Sequence, residues 1–178
     1  MVRNFTSSIF FFFVLTAAVI FSLSLAAVAA AQSNTSLGTG ALVNNATGLN
    51  NTAIGGNALF FNTTGSQNTA TGLNALLSNT TGGFNTATGA VSLASNTDGQ
   101  FNTAVGAFSL VQNTTGDFNT AMGLNALFTN TTGDRNTAIG ADALLLNTTG
   151  FENIAIGPRA LCQHHGAPKH RHRSRCDF

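Results

Sequence analysis

Asn34, Asn51, Asn68, Asn85, Asn102, Asn119, Asn136 and Asn153 stand 17 residues apart, with no insertion or deletion between the first and the last. A period this short and this strict narrows the possible folds more than any other property of the chain. Each unit is a single supersecondary element that buries its apolar side chains only against copies of itself. Aligned on these asparagines the unit is N-T-A-x-G-x-x-A-L-x-x-N-T-T-G-x-x, numbered as columns 1 to 17. Column 5 is Gly and column 9 is Leu in all eight copies, while columns 12 and 15 are Asn and Gly in seven. The structural frame is therefore Asn51, Gly55 and Leu59; Asn68, Gly72 and Leu76; Asn85, Gly89 and Leu93; Asn102, Gly106 and Leu110; Asn119, Gly123 and Leu127; Asn136, Gly140 and Leu144.

Helical repeats need roughly 30 residues or more, so a helical array is excluded. Two glycines per unit disfavour helix further, and Asn-Thr-Thr-Gly is turn chemistry, since Asn bonds its own backbone and Gly takes positive φ. The pattern predicts an all-β fold: a parallel β-solenoid, or β-roll, of eight 17-residue repeats, the last one partial. Strands are expected at columns 1–5 and 7–11, and coils in register at about 4.8 Å. Stacking sets like on like. The asparagine columns would form side-chain amide ladders, and the column 9 leucines with the mostly alanine column 8 would fill a narrow interior. Columns 3–4 and 8–10 are apolar in succession, which does not suit a strand with one solvated face. Either the solenoid is very thin or its strands are covered on both sides, the latter by other chains. Phe84, Phe101 and Phe118 share column 17 in successive coils. They form either an exposed interface stripe or a strip packed under a neighbouring loop.

The chain has 178 residues, of which 43% are hydrophobic and only 7% charged, with no Trp or Tyr. Polar surface must then come from Asn, Thr, Ser and Gln. Part of the hydrophobic share is local. Arg3 precedes an apolar run from Ile9 to Leu25, and Ala29-Ala30-Ala31 leads into Gln32. This is the anatomy of a helical secretory signal peptide over residues 1–31, with an uncleaved anchor as the rival reading. Export to the exterior or the cell surface follows, with no integral membrane segment after cleavage. The repeat domain covers 32–161, and 162–178 is a basic, His- and Cys-containing tail, expected to be disordered.

Net charge is +1, so no overall basic field attracts nucleic acid. Between residues 32 and 161 there is no His and no Cys, so neither a base-activated nucleophile nor a usual zinc site can be assembled there. No catalytic, metal or cofactor residue is expected, and the chain is not expected to be an enzyme. Asp117 and Asp134 are the only acids that share a column in adjacent coils; two solvated turn acids are the ordinary reading, a shared cation the sharper one. Gly38-Thr39-Gly40 belongs to the repeat frame and precedes no long helix, so it is no dinucleotide loop. Asn34, Asn45, Asn50, Asn62, Asn79, Asn113, Asn130 and Asn147 lie in Asn-x-Ser/Thr sequons, six of them simply as column 12 of the repeat.

Asn-Thr-Ala-Ile-Gly at 51–55 and 136–140, and Asn-Ile-Ala-Ile-Gly at 153–157, resemble the S-[IV]-A-[IV]-G units of trimeric autotransporter adhesin heads of the YadA-like type. The Ala58-Leu59 and Ala143-Leu144 pairs that follow are similar to the same repeats. The resemblance covers residues 34–161. It implies a left-handed parallel β-roll, three of which pack side by side as a homotrimer, and adhesion to host or extracellular-matrix macromolecules. The 17-residue unit is longer than the usual head repeat, Thr stands at the second motif position in all but the last copy, and neither a heptad stalk nor membrane-anchor strands follow.

The pattern stops after Leu161, where His164-His165-Gly166-Ala167 replaces Asn-Thr-Thr-Gly. A metal site, a Cys162–Cys176 disulfide or basic arm, and a change of reading frame are the three readings of that tail. The function expected is an adhesin-like structural protein. The alternative is a monomeric ice-binding or other lattice-binding solenoid using the ladder Thr52, Thr69, Thr86, Thr103, Thr120 and Thr137. A polysaccharide-processing β-helix lacks the necessary cluster of acids and aromatics.

Overall fold

The computed structural model describes residues 33–161. Their only regular elements are eight three-residue strands: β1 (Thr35–Leu37), β2 (Thr52–Ile54), β3 (Thr69–Thr71), β4 (Thr86–Thr88), β5 (Thr103–Val105), β6 (Thr120–Met122), β7 (Thr137–Ile139) and β8 (Ile154–Ile156). They form one sheet in sequence order, every pair parallel. The register advances one full repeat per strand, for example Thr103↔Thr120, Ala104↔Ala121 and Val105↔Met122. This is the parallel β-solenoid that the 17-residue period predicts. The segments expected as a signal peptide, 1–31, and as a tail, 162–178, fall outside the described residues.

Extended backbone is confined to columns 2–4, and column 5 is what ends it. Gly106 has φ 128°, a region closed to side-chain-bearing residues, and a Cβ there would lie 2.6 Å from the carbonyl oxygen of Gly123 in the next coil. The other column 5 glycines with a coil beyond them face the same carbonyl in the same way. Their identity in all eight copies is thus a steric requirement of stacking.

The second strand expected at columns 7–11 does not form. Columns 7 and 9 adopt left-handed backbone, as at Asn57 (φ 55°) and Leu59 (φ 52°), and Val91 and Phe108 do so as well. A leucine in that region costs about 1–2 kcal/mol. Full burial of its side chain contributes about 2–3 kcal/mol, and its N–H is paired: Leu59 donates to Ala75 O at 3.0 Å in the next coil. The left-handed residue at column 9 turns the side chain into the solenoid, and Leu59, Leu76, Leu93, Leu110, Leu127 and Leu144 are all 0% exposed.

The interior is filled by these leucines, the column 3 and column 8 alanines (Ser92 and Ser109 in two coils), and the asparagines of columns 1 and 12. The expected amide ladders are present and differ in wiring. At column 12 each Nδ2 donates to the preceding Oδ1, as from Asn79 to Asn62 at 2.7 Å and from Asn96 to Asn79 at 2.8 Å. At column 1 it is the backbone N–H that donates to the preceding Oδ1, as from Asn102 to Asn85 at 2.9 Å. Both amides then converge on the column 15 carbonyl that lies between them: Asn85 and Asn96 each donate to Gly99 O, at 2.8 and 2.9 Å. Buried polar groups cost little when every one is paired, and this three-way junction pairs them once per coil.

Candidate association surface

Alternation along a strand sends column 3 inward and columns 2 and 4 outward. The outward face of the sheet therefore carries the column 2 threonines and, at column 4, Leu37, Ile54, Thr71, Thr88, Val105, Met122, Ile139 and Ile156. Leu37 is 67% exposed and Met122 43%, and beside them at column 6 Leu73 is 56% and Leu124 51% exposed. This resolves the apolar pair of columns 3–4: alanine fills the roll, and the aliphatic residue next to it meets water in the single chain. At column 4 this exposed aliphatic row is interrupted by Thr71 and Thr88.

Two outward threonines in one coil occur only at Thr69 with Thr71 and Thr86 with Thr88. Elsewhere the second position is aliphatic or Met, so the outward face is a mixed Thr and aliphatic surface. A second set of threonines, at column 13, has its hydroxyls engaged: Thr97 Oγ1 donates to Thr114 O at 3.1 Å and Thr114 Oγ1 to Thr131 O at 3.0 Å.

The column 17 phenylalanines stack on each other and lie on the surface, not under a loop. Phe84 and Phe101 have ring centroids 4.7 Å apart and planes 11° from parallel; Phe101 and Phe118 follow at 4.8 Å and 4°. All three are about half exposed. Because the ring faces cover one another, the strip offers ring edges to solvent, unlike a platform on which a sugar ring lies flat.

The acids are built into the frame. Asp117 accepts the N–H of Gln100 at 2.7 Å, and Asp134 accepts that of Asp117 at 2.8 Å. Ser66 does the same for Leu49 at 3.0 Å, so column 16 supplies an oxygen to the backbone of the coil before it. Asp98 accepts from Thr80 and Thr81. Asp142 accepts from Asn125 and pairs with Arg159 at 3.8 Å, and Glu152 lies 3.9 Å from Arg135. Among the described residues no group of three His, Cys, Asp or Glu side chains is placed to hold a metal ion, and no helix is long and apolar enough to cross a membrane. The sequon residues Asn62, Asn79, Asn113, Asn130 and Asn147 are fully buried, whereas Asn50 is exposed. Cys162, His164, His165, His170, His172 and Cys176 lie outside the described residues.

The backbone role of column 16 was hidden in the sequence because Ser, Gln, Asp, Gly, Leu and Phe all occur there. Only the recurrence of Asp117 and Asp134 signalled it. No protein-family model, no curated protein and no solved structure matches the chain.

Proposed function

We propose that this chain is a secreted or cell-surface structural protein of adhesin type, whose β-roll associates side by side with two further copies and binds host or matrix macromolecules along its repeated outer faces. The observation that carries the reading is the outward column 4 of the sheet, where Ile54, Met122, Ile139 and Ile156 are exposed on an otherwise closely hydrogen-bonded frame. Burying that stripe between chains would give the sheet the second covered face that its composition suits. Repetition presents the same groups many times at one spacing, so weak contacts to a polymeric partner add up without a pocket.

The test is the solution mass of the chain from residue 32 onward, by light scattering after size exclusion, beside Met122→Lys/Ile139→Lys. A trimer that becomes a monomer with the same circular dichroism spectrum is the expected result. A stable monomer in the parent chain overturns the association and leaves lattice binding by the Thr face, testable by ice-growth inhibition, as the surviving reading.

A further inference from the structure

Eight asparagines of the repeat region stand in Asn-x-Ser/Thr sequons, and the repeat frame accounts for seven of them. Asn34 is column 1, and Asn45, Asn62, Asn79, Asn113, Asn130 and Asn147 are column 12. Asn50 is column 17, where Gln67, Phe84, Phe101, Phe118, Arg135 and Glu152 stand in the other coils, so no ladder requires an amide there. Each sequon offers an amide nitrogen and, two residues on, a hydroxyl, the pair that an oligosaccharyltransferase reads. The eight differ in the state of that nitrogen in the folded roll.

At column 12 both hydrogens of Nδ2 are engaged. Asn62 donates to Asn45 Oδ1 at 2.7 Å and to Gly65 O at 2.9 Å, and Asn79 to Asn62 Oδ1 at 2.7 Å and to Gly82 O at 2.9 Å. Asn113, Asn130 and Asn147 repeat the arrangement. All five are 0% exposed. A sugar on Nδ2 takes the place of one of those hydrogens, leaves a buried acceptor without its donor and needs room where there is none. Asn34 and Asn45 are half-buried, and each donates Nδ2 to Gly48 O, at 2.8 and 2.9 Å.

Asn50 differs in every respect. It is exposed, and its side chain makes no hydrogen bond among the described residues. Its φ of 57° is left-handed, a conformation asparagine tolerates, and it turns the chain into β2. Thr52 stands outward at the start of that strand, and its hydroxyl too has no partner among the described residues. Between them Asn51 is held from inside the roll: its N–H donates to Asn34 Oδ1 at 2.7 Å and its Nδ2 to Gly65 O at 2.8 Å. The sequon is thus fixed through its middle residue while both reactive side chains face out. Column 17 projects from the roll in later coils as well, where Phe84 is 48% and Phe118 50% exposed.

We propose that Asn50 is an N-glycosylation site that is used after the roll has folded. The co-reactant is a lipid-pyrophosphate-linked oligosaccharide. The bond from Asn50 Nδ2 to the sugar C1 forms, the bond from C1 to the pyrophosphate oxygen breaks, the lipid pyrophosphate leaves as the anion, and the amide proton passes to a base of the transferase. The order of events follows from the five buried sequons. A transferase that meets the unfolded chain finds them as open as Asn50, and a sugar at column 12 keeps the ladder from closing. One that meets the folded roll finds Asn50. The glycan then stands in line with the phenylalanine strip, two coils or roughly 10 Å before Phe84.

The experiment gives the purified full chain, folded or unfolded in urea, to a single-subunit oligosaccharyltransferase that needs only Asn-x-Thr, with a lipid-pyrophosphate-linked oligosaccharide as donor. Occupancy is read site by site by peptide mapping. In the folded chain, Asn50 is expected to be the occupied site within residues 34–161, with occupancy lost in Asn50→Gln and in Thr52→Ala and kept in Thr52→Ser. The unfolded chain is expected to be modified at column 12 too, and those molecules to fail to regain the parent circular dichroism spectrum. An Asn50 left bare in the folded chain, whether or not it is modified in urea, overturns the site. Occupancy at Asn62, Asn79, Asn113, Asn130 or Asn147 in the folded chain overturns the selection by burial. Refolding of chains that carry sugar at column 12 overturns the order of events.

Discussion

Asn113→Asp alters almost no volume yet reverses two buried hydrogen bonds. Asn113 Nδ2 donates to Asn96 Oδ1 and to Gly116 O, each at 2.9 Å, while its Oδ1 accepts from Asn130 Nδ2 at 2.8 Å. An ionised Asp keeps the third bond and sets an anionic oxygen against two carbonyl oxygens at a site with no solvent exposure. Burial raises a carboxyl pKa by up to 3–5 units. A rise of about 3 units from the ordinary ~3.9 brings it near 7 and corresponds to about 4 kcal/mol. Once protonated, the carboxyl regains one donor for Asn96 Oδ1, and Gly116 O still holds the bond from Asn102 Nδ2 at 2.8 Å. The cost in acid then falls to about 1 kcal/mol.

The direction follows from the raised folded-state pKa: between the two pKa values the folded variant binds more protons than the unfolded one, so its stability falls as pH rises from about 4 to about 7. With five acids in residues 34–161, the parent chain has few groups to oppose this trend. Guanidinium unfolding followed by far-ultraviolet circular dichroism, on parent and variant at about pH 4 and about pH 7, is expected to show a destabilisation about 3 kcal/mol larger at neutral pH. A deficit that is independent of pH, or larger in acid, would refute the reasoning, because it would mean that the column 12 amide is not a buried donor to two carbonyls.

Gly106→Ala drives a methyl into the carbonyl of Gly123 and demands a φ of 128° from a residue with a side chain; a loss of at least about 3 kcal/mol, or no folded protein, is expected from the same unfolding curves. Leu110→Ala empties a fully buried site in mid-array and should cost about 2–5 kcal/mol, read as a shift in denaturant midpoint. Phe101→Ala removes two ring contacts and Phe84→Ala one. At about 0.5–1.5 kcal/mol per aromatic pair, the central change should lower stability by about twice as much as the terminal one, with equal losses refuting the stack.

What the sequence disclosed, and what it hid, divides along a physical line. Properties set by like-on-like stacking were legible, because identity at a column is itself the signal. The asparagine ladders, the inward leucines of column 9 and the glycines of column 5 all follow from seeing one residue type in every copy or nearly every copy. The course of the backbone between columns 7 and 11 was not legible. Left-handed residues are ordinarily announced by Gly or Asn, and here Leu59, Val91 and Phe108 occupy that region, the leucine offset by its burial and all three within a network of hydrogen bonds to adjacent coils. A single-strand reading of columns 3 and 4 was also blind to the alternation that puts Ala104 inside and Val105 outside, since both are apolar. The surface strips were visible as columns, but only the ring planes show that the Phe strip presents edges.

The uniform register has a consequence for how such a molecule can change over generations. Each interior coil meets the same partners above and below, at the same columns, so removing or duplicating one whole 17-residue unit rejoins two surfaces that already fit. Near-identical units are also where genetic recombination slips. Length can therefore vary in steps of about 4.8 Å while every remaining side chain keeps its surroundings, and the reach of the rod becomes a trait that drifts independently of its stability and of the chemistry along its sides.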